Sequence, residues 1–177
     1  MNKKTTLRIL ILAVTFWGWA SIANCSESRS LFSRAKKEAQ SGAVDFAYMH
    51  YRAALRDDPN SQYRHQLLFA NGEYLYWNSD YDQAKTLFNE YTKETNGFEG
   101  KLFALAYLFK IAEKEKQSDL IQDIKNKIVA LHKHSFIFRD SKTYAYQSPL
   151  YHKLKAVYYI DRIEFYVDKE LLAKITY

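Results

Sequence analysis

Five histidines, one cysteine and twenty carboxylates are the side chains with which this chain of 177 residues could do chemistry, and their spacing decides what they can do. His132 and His134 stand two apart, which on a helix turns them to different faces, and no carboxylate sits at the spacing of a zinc-binding helix motif. His50, His65 and His152 are isolated in sequence and read as surface or partly buried side chains. Five glycines in the whole chain leave no phosphate loop and no serine elbow. The run Glu113 to Lys116 reads as a solvated helix face. The sequence therefore offers no catalytic residue, no metal site and no cofactor.

Aromatic residues carry more promise. The chain holds 15 tyrosines and three tryptophans, and two of those, Trp17 and Trp19, fall in an uncharged amino-terminal run. Trp77 is the one beyond it. Tyrosine and tryptophan make good binding anchors because they bury much area with few rotors to freeze.

The elements that would position these residues are written twice between Leu31 and Phe88. Leu31, Ala35, Gly42, Asp45, Ala47 and Tyr51 recur as Leu68, Gly72, Ser79, Asp82, Ala84 and Phe88, each pair 37 residues apart. Two antiparallel helices approach closely only where small side chains cross, and Ala35 opposite Ala47, with Gly72 opposite Ala84, supply that crossing. Tyr51 and Phe88 lie one turn beyond those alanines, placed to fill the space between hairpins. Gly42 and Asn78-Ser79-Asp80 are turn chemistry, and Pro59 ends the helix before it.

This pattern resembles the tetratricopeptide repeat (TPR), a helical hairpin of about 34 residues. It departs from it at Arg34 and Asn71, where leucine is usual, in its longer period, absorbed around Asn60 to Tyr63, and at Asn96-Gly97 in place of proline. The resemblance implies a groove lined by the first helix of each pair. Carried onto this chain, that face holds Phe32, Lys36 and Ala39 with Gln40 beside them, then Phe69, Glu73 and Tyr76 with Trp77 beside them.

The amino terminus reads as a targeting segment over residues 1–24. Lys3, Lys4 and Arg8 form a positive region and Ile9 to Ala23 carries no charge, the length and polarity of a secretory signal. Ile22-Ala23-Asn24-Cys25 is similar to a bacterial lipobox, which implies acylation of Cys25 and, with Ser26 next to it, the periplasmic face of the outer membrane. Cleavage after Ala23 is the competing reading and would leave a soluble periplasmic protein. A single cysteine allows no intrachain disulfide. Losing the leader lowers the formal charge from +6 to +3, and with no reader motif this gives no case for nucleic acid.

After a tether at 25–30 and the two repeats at 31–96, a third hairpin is expected at 97–134. In it, the run Leu102 to Phe109 reads as a helix apolar all round and therefore central, and Ile121, Ile124, Ile128 and Leu131 form the stripe of its partner. Residues 135–177 read as a loop followed by a capping helix. Phe136 and Phe138, then Tyr144 and Tyr146, alternate about the polar Arg139-Asp140-Ser141-Lys142, which suits a short hairpin or an extended loop. Ser148 and Pro149 suit a helix start, and Ile160, Ile163, Val167 and Leu171 fall at helical spacing.

The expectation is an all-α stack of TPR-like hairpins with a helical carboxy-terminal cap. It would serve as a non-enzymatic protein–protein adaptor of the bacterial cell envelope, docking a segment of an envelope protein within an assembly, secretion or polysaccharide-export machine. The only membrane contact expected is through lipidated Cys25. The alternative is a glycan-binding protein, which exposed aromatics flanked by amides and acids would favour, whereas a concave groove near Lys36 and Gln40 would favour a peptide. An envelope hydrolase is third and would need two carboxylates about 5 to 10 Å apart facing one cleft.

Overall fold

The computed structural model describes residues 27–135 and 142–177. Cys25, the expected targeting segment at 1–24, Phe136 and Phe138 lie outside these residues, as do the side chains of His132 and His134. Six helices come first: α1 (27–40), α2 (Val44–Asp57), α3 (Arg64–Trp77), α4 (Tyr81–Glu94), α5 (Phe98–Lys114) and α6 (Ser118–Ser135). Four strands follow, β1 (Lys142–Gln147), β2 (Lys153–Tyr158), β3 (Arg162–Val167) and β4 (Glu170–Thr176).

The helices pair as three antiparallel hairpins, and one turn design closes all three. Gly42, Ser79 and Lys116 occupy left-handed backbone, with φ of 83°, 63° and 56°, at intervals of 37 residues. Around each, the same two bonds cap the incoming helix: Gly42 N–H to Ala39 O and Ala43 N–H to Glu38 O, Ser79 to Tyr76 and Asp80 to Leu75, Lys116 to Glu113 and Gln117 to Ala112, all between 2.9 and 3.2 Å. This is a Schellman motif, which satisfies carbonyls that the helix end leaves open. Gly42 takes the conformation freely; Ser79 and Lys116 take it against a Cβ clash.

Helix crossings rest on small residues. Ala35, Ala47 and Ala84 are fully buried, and a Cβ on Gly72 would come within 3.2 Å of the Phe88 ring. Arg64, at the start of α3, ties the second hairpin together where it meets the end of α4, donating to the Pro59 carbonyl and to the carboxylates of Glu90 and Glu94. Helix α5 is buried at every position from Leu102 to Phe109, as an all-round apolar helix must be.

The carboxy-terminal region corrects the all-α expectation. No capping helix forms there: β1 to β4 make an antiparallel meander in sequence order, so the fold mixes helices with a sheet. Leu154, Ala156 and Tyr158, then Ile163, Phe165 and Val167, are buried at every second position, a period-two pattern of aromatic and branched residues that suits a half-buried strand. The helical spacing of Ile160, Ile163, Val167 and Leu171 was coincidental. Ile160 lies in the exposed β2–β3 turn, Leu171 is exposed, and Asp168 and Lys169 between β3 and β4 have φ of 49° and 86°, the mark of a tight hairpin turn. Ser148 and Pro149 begin a turn rather than a helix, with Tyr151 N–H on Ser148 O at 2.9 Å.

The inner face of the sheet lies on α5 through β1 and β4. Phe103 meets Phe165 edge to face at 6.0 Å and Tyr146 at 6.0 Å. Helix α3, α5 and the sheet share one core, while Ala35, Ala39, Ala47, Tyr51, Ala54, Leu67 and Ala70 form a second between the first two hairpins.

Candidate functional site

The segment joining β1 to β2, Ser148 to His152, enters the space between the first two hairpins. Leu150 belongs to the core formed by α1, α2 and α3 and is buried. Tyr51 Oη donates to Pro149 O at 3.0 Å. His152 Nδ1 donates to Glu73 Oε1 at 3.0 Å, and Tyr107 Oη donates to the same oxygen at 2.8 Å. An apolar plug, a captured carbonyl and a hydrogen bond from half-buried His152 to the buried Glu73 carboxyl thus hold the chain's own segment against the helices.

Electrostatics follow from this burial. Glu73 has no solvent exposure, and its Oε2 makes no hydrogen bond among the described residues. Its bond to His152 holds the imidazole above the ordinary value of 6.5, against burial, which acts in the opposite direction. Burial first, and then the Glu73 charge, push the Tyr107 hydroxyl far up, so it stays a donor. Tyr74 donates to Asp45 Oδ1 at 2.8 Å, and that bond is the main cause of its raised pKa.

Beyond His152 a cleft stays open. Trp77 and His152 meet edge to face at 6.3 Å, and Val44, Leu150 and Val167 give apolar floor, with Tyr74 and Asn78 along one side. Three carboxylates, Asp45, Asp168 and Glu170, line it against the single basic group of His152. A half-exposed indole beside amide and carboxylate oxygens can stack on a flat apolar face, while the acids accept hydrogen bonds or attract a cation. Among the described residues, no three His, Cys, Asp or Glu side chains gather closely enough to hold a metal ion.

The residues expected to line one groove are dispersed. Phe32 is stacked on Tyr63 at 4.0 Å and packs on Tyr51. Lys36 and Gln40 are exposed on α1. Phe69 is enclosed by Phe88, Tyr91, Tyr107 and Tyr146, and Tyr76 packs on Tyr107 at 4.9 Å. Ala39 is buried, Glu73 sits beneath His152, and of these residues Trp77 lines the open cleft. Helix α5 and the β1–β2 region cover the α3 face.

Sequence reasoning missed Tyr74, His152, Asp168 and Glu170. Asp168 and Glu170 carried a signal in the turn-forming Asp168-Lys169 pair between alternating strands. His152 carried none, because its partner lies 79 residues away.

No protein-family model, curated protein or solved structure matches the chain. The fold and the cleft define it as a helical-hairpin stack closed by a β-meander.

Proposed function

We propose that this protein is a non-enzymatic adaptor of the bacterial cell envelope, a short TPR-like stack that docks a segment of a partner protein at the Trp77 cleft. The observation that carries this reading is the Ser148–His152 segment: the hairpins hold an irregular stretch of chain by a buried Leu150, a hydrogen bond to its backbone from Tyr51 and the Glu73–His152 pair. The same means, continued past His152, leave room for a partner segment with an apolar or aromatic side chain for Trp77 and a Lys or Arg for Asp45, Asp168 and Glu170. The Schellman turns repeated at 37 residues support the repeat reading, now extended to α5 and α6. Export, with acylation at Cys25, is supported by the charged and apolar pattern of residues 3–25.

Glycan binding is the second reading, favoured by one specific arrangement: the Trp77 ring flanked by the Asn78 amide and three carboxylates. Affinity purification of the full chain from membranes of its native cell, with intact mass of the bait, tests both. The adaptor reading expects an acylated bait and a stoichiometric envelope protein that is lost with Trp77→Ala. An unlipidated bait recovered alone, or with saccharide, would overturn it in favour of the glycan.

A further inference from the structure

A second cleft, of about 310 Å3, lies on the side of α3 opposite Phe69, Glu73 and Tyr76. Tyr48 and Leu55 of α2, Leu75 of α3 and Leu87 of α4 form its apolar walls; Arg52, Arg56, Gln83 and Thr86 surround it, and Asn71 contributes to its lining. Tyr48 stacks on Tyr74 at 3.9 Å, so one pair of rings separates this cleft from that of Trp77.

Two independent features mark it as a site. Asn71 is 2 % exposed; its Nδ2 donates to Leu67 O at 2.8 Å, yet its Oδ1 makes no hydrogen bond among the described residues. A buried acceptor without a donor has given up hydration for nothing, and an apolar side chain at this helix crossing would avoid that loss. The charge is also one-sided. No carboxylate lines the cleft, Arg52 has no ion pair among the described residues, and exposed Arg56 pairs among them only with its half-buried neighbour Asp57, at 2.9 Å.

We infer that this cleft docks an acidic, apolar peptide segment of a partner. An aliphatic side chain enters between Leu55, Leu75 and Leu87, a peptide N–H supplies the donor that Asn71 Oδ1 lacks, and a carboxylate meets Arg52. The inference goes beyond the Trp77 reading, since its residues and its charge preference are different, and it stands or falls separately.

The test titrates the full chain, labelled with nitrogen-15, with the hexapeptide acetyl-Gly-Asp-Leu-Leu-Glu-Gly-amide, and follows amide NMR shifts. A matched peptide with lysine at both acidic positions serves as control. Expected are saturable shifts on α2, α3 and α4 around Arg52, Asn71 and Leu87 with the acidic peptide only, weakened roughly tenfold by Arg52→Glu and by Asn71→Leu, and unchanged by Trp77→Ala. Asn71→Leu is expected to melt at or above the wild-type temperature, which a purely structural amide would not allow. Equal binding of both peptides, wild-type binding by Arg52→Glu, no saturable shift at millimolar peptide, or a lower melting temperature for Asn71→Leu would each overturn the inference.

Discussion

Glu73 brings a carboxylate into a place without water, which is costly unless the charge is paired and hydrogen-bonded. Tyr107 and His152 provide both. Because the folded pKa of His152 is raised above its unfolded value of 6.5, the stability it contributes is complete below about pH 6.5 and is lost as pH rises through the folded value. The melting temperature should therefore fall as pH rises across that window, and Glu73→Gln should flatten this slope; equal slopes in wild type and variant would refute the pairing. Leu150→Ala, which empties the plug between the hairpins, should cost about 2 to 5 kcal/mol in urea unfolding. Helical spacing along α3 grouped Glu73 with Phe69 and Tyr76, but nothing local to it announced His152 or Leu150. Contacts formed across most of a chain have no signature in the residues that flank them.

At the level of elements, three hairpins repeat one turn, and the residue in left-handed backbone differs in each. Ser79→Gly and Lys116→Gly remove a Cβ clash that Gly42 never has, so each should stabilise by about 0.5 to 1 kcal/mol in a denaturant midpoint measurement; no gain at either site would contradict the turn geometry. Ala47→Leu and Ala84→Leu should overpack buried crossings and cost about 1 to 3 kcal/mol, read as lower melting temperatures. These hairpins were legible because small residues, turn residues and Pro59 fall in order over short distances. The third was legible as helices from its apolar runs, but Lys116 gives no sign of the left-handed turn it makes. The strands were misread because four apolar residues, Ile160, Ile163, Val167 and Leu171, happened to fit a helical stripe. The alternation of Leu154 to Tyr158 and Ile163 to Val167 carried the better signal, and it agrees with the branched and aromatic side chains found there.

For the molecule as a whole, the sheet is what closes the stack. A row of hairpins leaves its last apolar face open, and here Tyr144, Tyr146, Phe165 and Ile175 join the core over α5. A chain ended at Ser135 should therefore expose that face and sediment as aggregates in analytical ultracentrifugation, whereas a soluble monomer would show that the sheet is dispensable. The closure also disposes of an uninterrupted groove along α1 and α3, and among the clefts that remain one carries Asp45, Asp168 and Glu170 and another, of opposite charge, Arg52 and Arg56. The docking of a partner at the Trp77 cleft is tested most directly by site-specific photocrosslinking in the native cell, with p-benzoylphenylalanine placed at Trp77 in one chain and at Lys36 in another. The account predicts a protein adduct from position 77 and none from position 36; an adduct from position 36 with none from position 77 would contradict it.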